Sequence, residues 1–175
     1  MYPELSSIPA ELTSRPGACG PISVWLVLQR HVVNLGCGEI LRACKHSEVD
    51  GAFTVCLADA LQQFGFNVSF HSELDSAPTD VELDSYKRIQ AMRPKPLSHL
   101  IRASASGASV IVSYAARGGE GHFSPLAGVR GRSILLAYTL ERQMLISEFE
   151  KRWRSPGVLR QAIIATPNPA ASITQ

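Results

Sequence analysis

A cysteine stands where a helix is expected to begin. Cys19 follows the small-residue loop Arg15-Pro16-Gly17-Ala18, and Pro21 then opens a segment whose apolar residues recur with helical spacing. Free N–H groups and aligned peptide dipoles at a helix N-terminus favour an anion, and the thiolate is the reactive form of cysteine. Cys19 is therefore a candidate nucleophile. The alternative is a small buried residue that packs at the start of a core helix.

A histidine that could serve as the base lies far along the chain. His122 follows the glycine-rich loop 115–121 and stands at the start of a predicted strand, so its ring could face a cleft. A thiolate nucleophile needs a group that holds or removes its proton, and imidazole is the usual one. The remaining histidines lack comparable glycine flanks and are interpreted as surface or structural residues. A chain with four cysteines and five histidines offers many such pairs, so this pattern alone does not establish a dyad.

Composition limits the function classes. The 175 residues fit a single domain, 1–175, and a net charge of +2 gives no general reason to bind nucleic acid or an anionic membrane. The N-terminus does not read as a secretory signal, and no stretch approaches the length of a membrane span. The four cysteines form no CxxC pair, so we expect no metal site and no cofactor. Reduced thiols and a cytoplasmic location follow from the lack of an export signal.

The order of the predicted elements indicates an α+β fold. An irregular arm over 1–14 precedes helices at about 21–34, 39–45 and 54–64, and a strand at 67–71. Residues 72–96 are the most polar stretch, interpreted as a solvated insertion with a short exposed helix, or a lid. A helix at 97–104, strands at 108–114, 123–129 and 133–138, a helix opened by a capping box at Ser147, and a strand at 158–165 follow. The tail, 167–175, is expected to be loose.

Two segments carry a resemblance to known families. Cys19-Gly20-Pro21 before a long helix resembles the nucleophile segment of papain-fold cysteine peptidases of the bacteriocin-leader, double-glycine type. The run Val110-Ile111-Val112-Ser113-Tyr114, a glycine-rich loop and Gly121-His122-Phe123-Ser124-Pro125-Leu126 closely resembles the histidine segment of phytochelatin synthases. The middle helix at 55–64 is also similar, and the likeness extends over roughly residues 12–153.

The resemblance implies a papain-like fold with N-terminal helices and a C-terminal antiparallel sheet. It implies Cys19 as the acyl-forming nucleophile and His122 as its base and later its acid. Members act on glutathione-like γ-glutamyl peptides, and either water or an amine resolves the thioester, so hydrolases, transpeptidases and acyltransferases share the first half-reaction. The chain resembles the short bacterial forms of the family.

Two family positions are altered. The family's Asp, which orients the imidazole, aligns with Thr139, and Glu141 is an alternative third member if the register slips by two residues. The family's Asp-x-x-Arg run then places a substrate-binding arginine at Arg142. The family's Gln, an oxyanion donor, aligns with Thr13, which leaves the backbone N–H of Cys19 as the other donor.

The sequence favours two functions over a third, a plain leader peptidase. The first is cysteine-dependent acyl transfer on a small amide or thioester, with a small-molecule or short-peptide donor that could be carrier-bound, and with either hydrolysis or amide formation as the outcome. Activated thioester donors need less oxyanion stabilisation, which would make the altered positions tolerable. The second is a catalytically silent papain-fold module that binds a peptide or partner in the former cleft.

Overall fold

The computed structural model describes residues 1–139, 141 and 143–169. A 3-10 turn, Leu5–Ser7, precedes the first helix. The helices are α1 (Ala10–Thr13), α2 (Cys19–Arg30), α3 (Cys37–Ala43), α4 (Thr54–Gln63), α5 (Asp80–Tyr86), α6 (Leu97–Ala105) and α7 (Ile146–Trp153). The strands are β1 (Phe66–Ser72), β2 (Ala91–Met92), β3 (Ser109–Ala115), β4 (Gly121–Arg130), β5 (Ser133–Leu136), β6 (Gln143–Leu145) and β7 (Gln161–Pro167).

The described strands form one seven-stranded sheet in the order β2-β1-β7-β3-β4-β5-β6. The C-terminal strand β7 inserts between β1 and β3 and pairs antiparallel with both. β3 pairs antiparallel with β4 on its other side, and the short edge strand β2 runs parallel to β1. The sheet is therefore antiparallel apart from one edge, and the predicted α+β class is confirmed.

The two faces of the sheet are covered by different helices. Ile111 of β3 belongs to a hydrophobic cluster with residues of α1 to α4, whereas Val110, Val112 and Tyr114 belong to a second cluster with residues of α6 and α7. This division follows from the alternation of side chains along a strand. Because both faces are covered, every residue of β3 is buried.

The N-terminal arm is more ordered than the sequence predicts. Ile8 and Leu12 are buried in the first cluster, and the arm contains the 3-10 turn and α1. Their apolar side chains lie four positions apart, and burying each of them stabilises the fold by roughly 1.5–3 kcal/mol. The prediction of an irregular arm over residues 1–14 is therefore wrong.

The polar segment 72–96 contains the predicted short helix, α5, but one side of this helix is buried. Thr79 caps α5 in a capping box with Glu82, whose side chain is itself buried. After the helix, Arg88 forms a 2.7 Å ion pair with the buried carboxylate of Asp59 on α4. Some of the charged residues that suggest a solvated insertion, Glu82 and Arg88, therefore pack or pair with the core.

Two smaller predictions also differ from the structure. The helix α7 begins at Ile146, with Leu145 at its N-cap and no side-chain cap, so the capping box expected at Ser147 is absent. The strand β7 continues to Pro167, and residues 170–175 of the expected loose tail lie outside the described residues.

The loop before Cys19 is held by a tight turn at residues 47–51. Ser47 and Gly51 exchange backbone hydrogen bonds of 2.7 and 2.8 Å, and the His46 ring donates from Nε2 to the Pro16 carbonyl at 2.9 Å. Gly17 and Gly51 touch, since a Cβ on Gly17 would stand 2.8 Å from the Gly51 Cα. Gly51 also has a left-handed φ of +73°, so its position needs a glycine on two grounds.

We expect Gly51→Ala to lower the free energy of unfolding by about 1–2 kcal/mol, because a Cβ there has an unfavourable φ and stands 3.1 Å from the Gly17 carbonyl oxygen. Gly38→Ala is the control. It lies within α3, where its Cβ would meet only the flexible Arg42 guanidinium at 3.5 Å, and alanine favours a helix by up to about 1 kcal/mol. Urea unfolding measures both. Equal stabilities of Gly51→Ala and the wild type would contradict the role of this contact.

Candidate functional site

Cys19 is the first residue of α2, as predicted, and packing fixes its position. All residues of α2 from position 20 to position 28 are buried. A Cβ on Gly20 would meet Leu57 at 3.1 Å and Ala52 at 3.2 Å, so the missing side chain lets the start of α2 lie close to α4. The Ser23 hydroxyl donates to the Cys19 carbonyl at 2.8 Å. The nucleophile candidate therefore sits on a rigid element.

Burial controls the ionisation of Cys19. Burial raises the pKa of this thiol, while the backbone N–H groups of Phe123, Gly20 and Cys19 itself lower it without cancelling the rise. From the helix start and the neighbouring imidazole, the sequence predicts the opposite net direction. Burial disfavours the charged form of any thiol, and that effect is the larger one here. The resting Cys19 is therefore a neutral thiol at pH 7.

The His122 ring is held by the main chain of the neighbouring segment. Its Nε2 lies 2.9 Å from the Tyr138 carbonyl oxygen. A carbonyl only accepts hydrogen bonds, so Nε2 carries the proton and the neutral ring leaves Nδ1 free to act as a base. The Tyr138 ring stacks on the imidazole at a centroid distance of 5.5 Å, and Tyr114 meets it edge-on at 5.5 Å. These contacts fix both the tautomer and the plane of the ring.

A second hydrogen bond holds the Tyr138 segment against β4. The Ser124 hydroxyl accepts the Tyr138 N–H at 2.9 Å and donates to the Pro125 carbonyl at 3.2 Å. Ser124 and His122 thus hold the two ends of the same residue, one by its N–H and the other by its carbonyl. Burial lowers the pKa of His122, and the Tyr138 carbonyl and the Glu120 charge raise it in part. The resting ring is therefore neutral.

The two candidate residues meet through the backbone of β4. Phe123, directly after His122, directs its N–H at the Cys19 sulfur. Among the described contacts there is no hydrogen bond between the Cys19 sulfur and the His122 ring. Cys19 lines a cleft and also packs, partly buried, against the first hydrophobic cluster. The His122 imidazole is held by Tyr138 and is not turned out to solvent. The structure thus places the Cys19 sulfur beside the residue that directly follows His122.

The proposed third members, Thr139 and Glu141, do not contact Nε2 of His122, which is taken by the Tyr138 carbonyl. Thr139 Oγ1 accepts the Glu141 N–H at 3.2 Å, and the Glu141 carboxylate pairs with Arg117 and Arg152 at 3.0 and 3.2 Å. A register shift between β4 and β5 near Leu126 changes which residues stand opposite His122. Counting residues along a regular hairpin ignores this shift and therefore assigns the wrong partners. Arg142 lies outside the described residues.

The proposed oxyanion donor Thr13 also lies elsewhere. Its side chain is exposed, its hydroxyl donates to the Ala10 carbonyl of its own helix at 3.4 Å, and it does not line the cleft that contains Cys19. The turns between α1 and α2 separate the two positions. At the start of α2 the N–H groups of Cys19 and Gly20 have no intrahelical acceptor, and together with the Phe123 N–H they are the donors to the sulfur.

The cleft beside Cys19 has a volume of about 910 Å³ and contains polar groups that the sequence analysis missed. Gln161 is buried in its wall, where it accepts the Thr54 hydroxyl and donates to Ser72 at 3.0 Å. Ser113 also lines the cleft and is only 6 % exposed, yet its hydroxyl makes no hydrogen bond within the described part of the chain. Ser113 is one of two serines in the otherwise apolar strand 108–114, and that contrast was the available signal for it.

Metal-binding clusters and membrane-spanning helices are both absent from residues 1–139, 141 and 143–169. In these ranges no group of three or more His, Cys, Asp or Glu side chains is arranged to hold a metal ion. None of the helices there combines the length and the apolar character needed to cross a membrane.

Solved structures with the same fold include two peptidase domains. The peptidase domain of Streptococcus ComA, a bifunctional ABC transporter in a quorum-sensing pathway, matches with a TM-score of 0.59 and 14% identity over 85% of this chain and 90% of that one. A double-glycine-motif protease from an AMS/PCAT transporter, solved with its leader peptide, matches with a TM-score of 0.55 and 16% identity over 95% and 92%. No family model and no curated protein sequence matches the chain. The chain therefore has the papain-like cysteine peptidase fold.

Proposed function

We propose that this protein is a cysteine-dependent enzyme that cleaves a short peptide through a thioester on Cys19, with His122 as the general base and acid. The observation that carries the proposal is the meeting of the Cys19 sulfur with the backbone beside His122 at a cleft. The solved structures of this fold named above are peptidase domains, which supports the same reaction class.

The reaction has two halves. His122 Nδ1 takes the thiol proton as the Cys19 sulfur attacks the substrate carbonyl, which becomes a tetrahedral oxyanion near the Cys19 N–H. The C–N bond then breaks, and His122 returns the proton to the departing amine, which leaves a thioester. In the second half, water or an amine attacks the thioester while His122 accepts its proton. The C–S bond breaks and the thiol regains a proton from His122.

The Tyr138 carbonyl takes the place of an orienting carboxylate in this reaction. It fixes the tautomer that leaves Nδ1 free, and its dipole stabilises the imidazolium that forms. A dipole stabilises the imidazolium less than a full negative charge. Loss of the carboxylate costs about 10⁴-fold in kcat in a serine protease. We therefore expect slow turnover with simple amides and faster acylation by activated donors.

Several donors fit this chemistry. A leader peptide is bound by one of the structural relatives, which makes a short peptide the first donor to test. A glutathione-like γ-glutamyl peptide is the donor implied by the phytochelatin synthase resemblance, and a carrier-bound thioester is a third. An amine in place of water would convert hydrolysis into transpeptidation or amide formation. A cytoplasmic site of action stays a prediction.

A catalytically silent peptide-binding module is the second candidate function. It is favoured by two observations: Cys19 and His122 are both neutral at rest, and among the described residues no carboxylate accepts from the His122 ring. In such a module the cleft would bind a peptide without forming a bond to the sulfur.

Covalent capture on Cys19 separates the two functions. We expect incubation with a short peptide thioester, followed by acid quenching and intact-mass spectrometry, to reveal an acyl adduct that maps to Cys19. Cys19→Ser should abolish this adduct, and the matched variant Cys37→Ser should retain it. Glutathione and an unactivated peptide amide extend the series. The absence of an adduct with every donor, or an adduct on Cys37, would favour the silent module.

The pH dependence of Cys19 alkylation tests the neutral resting pair. Only the thiolate reacts, and burial raises the pKa of Cys19, so the iodoacetamide rate should still be rising above pH 8.5, where an ordinary thiol is half ionised. At pH 7 an ordinary thiol is about 3% ionised, and Cys19 should react more slowly than N-acetylcysteine amide. A rate plateau at acidic pH would instead indicate a preformed thiolate–imidazolium pair and would contradict this account.

A further inference from the structure

The walls of the Cys19 cleft carry charge of one sign only. Within the described residues, the side chains that line it include five carboxylates and no lysine, arginine or histidine. Clefts lined by one sign of charge concentrate their field and attract ligands of the opposite sign. The carboxylates are those of Glu48, Asp50, Asp75, Glu82 and Glu120.

Three of these carboxylates already have partners. Glu48 pairs with Arg15 at 2.9 Å, Asp75 accepts the Ala77 N–H at 3.0 Å, and Glu82 accepts the N–H of Thr79 at 2.9 Å. The Asp50 and Glu120 side chains form no ion pair or hydrogen bond with the described residues. They stand on different segments, Asp50 in the turn at residues 47–51 and Glu120 in the loop before β4, so the two act from separate walls of the cleft.

An independent observation points to a ligand at the same place. Ser113 is more than nine-tenths buried, lines the cleft, and leaves its hydroxyl without a hydrogen bond inside the described chain. The Ser113 oxygen is not among the fully enclosed polar atoms that lack a partner, so it is open to the cleft and can bond to a ligand there. Ser113 stands directly opposite Phe123 in the β3–β4 ladder, and Phe123 directs its N–H at the Cys19 sulfur. The Ser113 hydroxyl is therefore on the strand next to the one that contacts the Cys19 sulfur.

We propose that the cleft selects a peptide that carries a positively charged amino group, attracted by Asp50 and Glu120, with the Ser113 hydroxyl accepting a hydrogen bond from a substrate N–H beside Cys19. The proposal rests on the proposed function, because it assigns a substrate class to the same cleft. It also discriminates among the donors. Glutathione carries two carboxylates and one ammonium group, so this cleft repels it relative to a lysine-containing peptide.

Charged thiol reagents measure the field at Cys19 without any turnover. The cationic reagent 2-(trimethylammonium)ethyl methanethiosulfonate and the anionic reagent 2-sulfonatoethyl methanethiosulfonate both form a mixed disulfide with the thiolate and expel methanesulfinate. The ratio of their rates is independent of the thiolate fraction, since both react with the same thiolate. We expect this ratio at Cys19, read by mass spectrometry, to exceed the ratio for N-acetylcysteine amide by about tenfold.

The double variant Asp50→Asn/Glu120→Gln should lower that ratio at least about threefold. Both positions are exposed, so the fold should tolerate the changes. Glu39→Gln is the matched control, because Glu39 is an exposed carboxylate on α3 outside the cleft, and its ratio should equal that of the wild type. A wild-type ratio equal to that of the free thiol, or one unchanged in the double variant, overturns the proposal even if Cys19 is acylated normally.

Peptide selectivity tests Ser113 and the charge preference together. For otherwise identical peptide thioesters that carry Lys, Gln or Glu at one position, acylation efficiency should follow the order Lys, Gln, Glu. Ser113→Ala should raise the KM for the Lys peptide about fivefold, the equivalent of one hydrogen bond, with little change in kcat, and Ser113→Thr should restore it. Equal efficiencies, or a preference for Glu, would overturn the proposal. A complete lack of acylation alongside the expected reagent ratio would reject the proposed function and leave the cationic preference standing.

Discussion

The burial of α2 against the sheet is the constraint on which the site depends. Nine consecutive residues, from Gly20 to Leu28, are buried, so the helix can neither rotate nor slide without exposing apolar side chains. Its first residue, Cys19, is therefore fixed beside β4. The same packing explains why the preceding loop must be compact. The Gly17–Gly51 contact and the His46 hydrogen bond hold that loop close to the turn at residues 47–51.

The burial that places the two side chains also determines their charge. Desolvation raises the pKa of Cys19 and lowers that of His122, so both effects favour the neutral pair over the ion pair. The hydrogen-bonding groups that oppose it are from the main chain: the N–H groups of Phe123, Gly20 and Cys19, and the carbonyl of Tyr138. The Glu120 charge is the one side-chain contribution, since it also raises the pKa of His122. Backbone dipoles orient the groups but supply less charge stabilisation than an aspartate would. In this site the Cys19 proton therefore moves to His122 only during the reaction and not in the resting state.

The sequence predicts the elements better than their contacts. Period and turn signals place α2, α4, β3 and β4 within a few residues, because these elements are strongly apolar and bounded by glycines. The prediction that Thr139 or Glu141 orients the His122 ring differs from the structure for a physical reason. A main-chain carbonyl has no sequence signature, and a one-residue register irregularity near Leu126 moves every residue beyond it. The assignment of Thr13 as an oxyanion donor has a similar weakness, because counting residues back from Cys19 ignores the turns that separate α1 from α2. The insertion of β7 between β1 and β3 is a long-range pairing that local patterns do not encode.

The charge of the cleft and the neutrality of Cys19 are parts of one electrostatic problem. Burial is the largest cause of the raised pKa of Cys19. A cleft lined by carboxylates disfavours a second negative charge inside it for a separate, general electrostatic reason. A cationic group that binds between Asp50 and Glu120 cancels part of that field and expels water from the cleft. Its charge then favours the thiolate at the moment when a substrate carbonyl is present. Such an arrangement keeps the thiol unreactive towards stray electrophiles and couples its ionisation to occupancy of the cleft, which a permanent thiolate–imidazolium pair does not do.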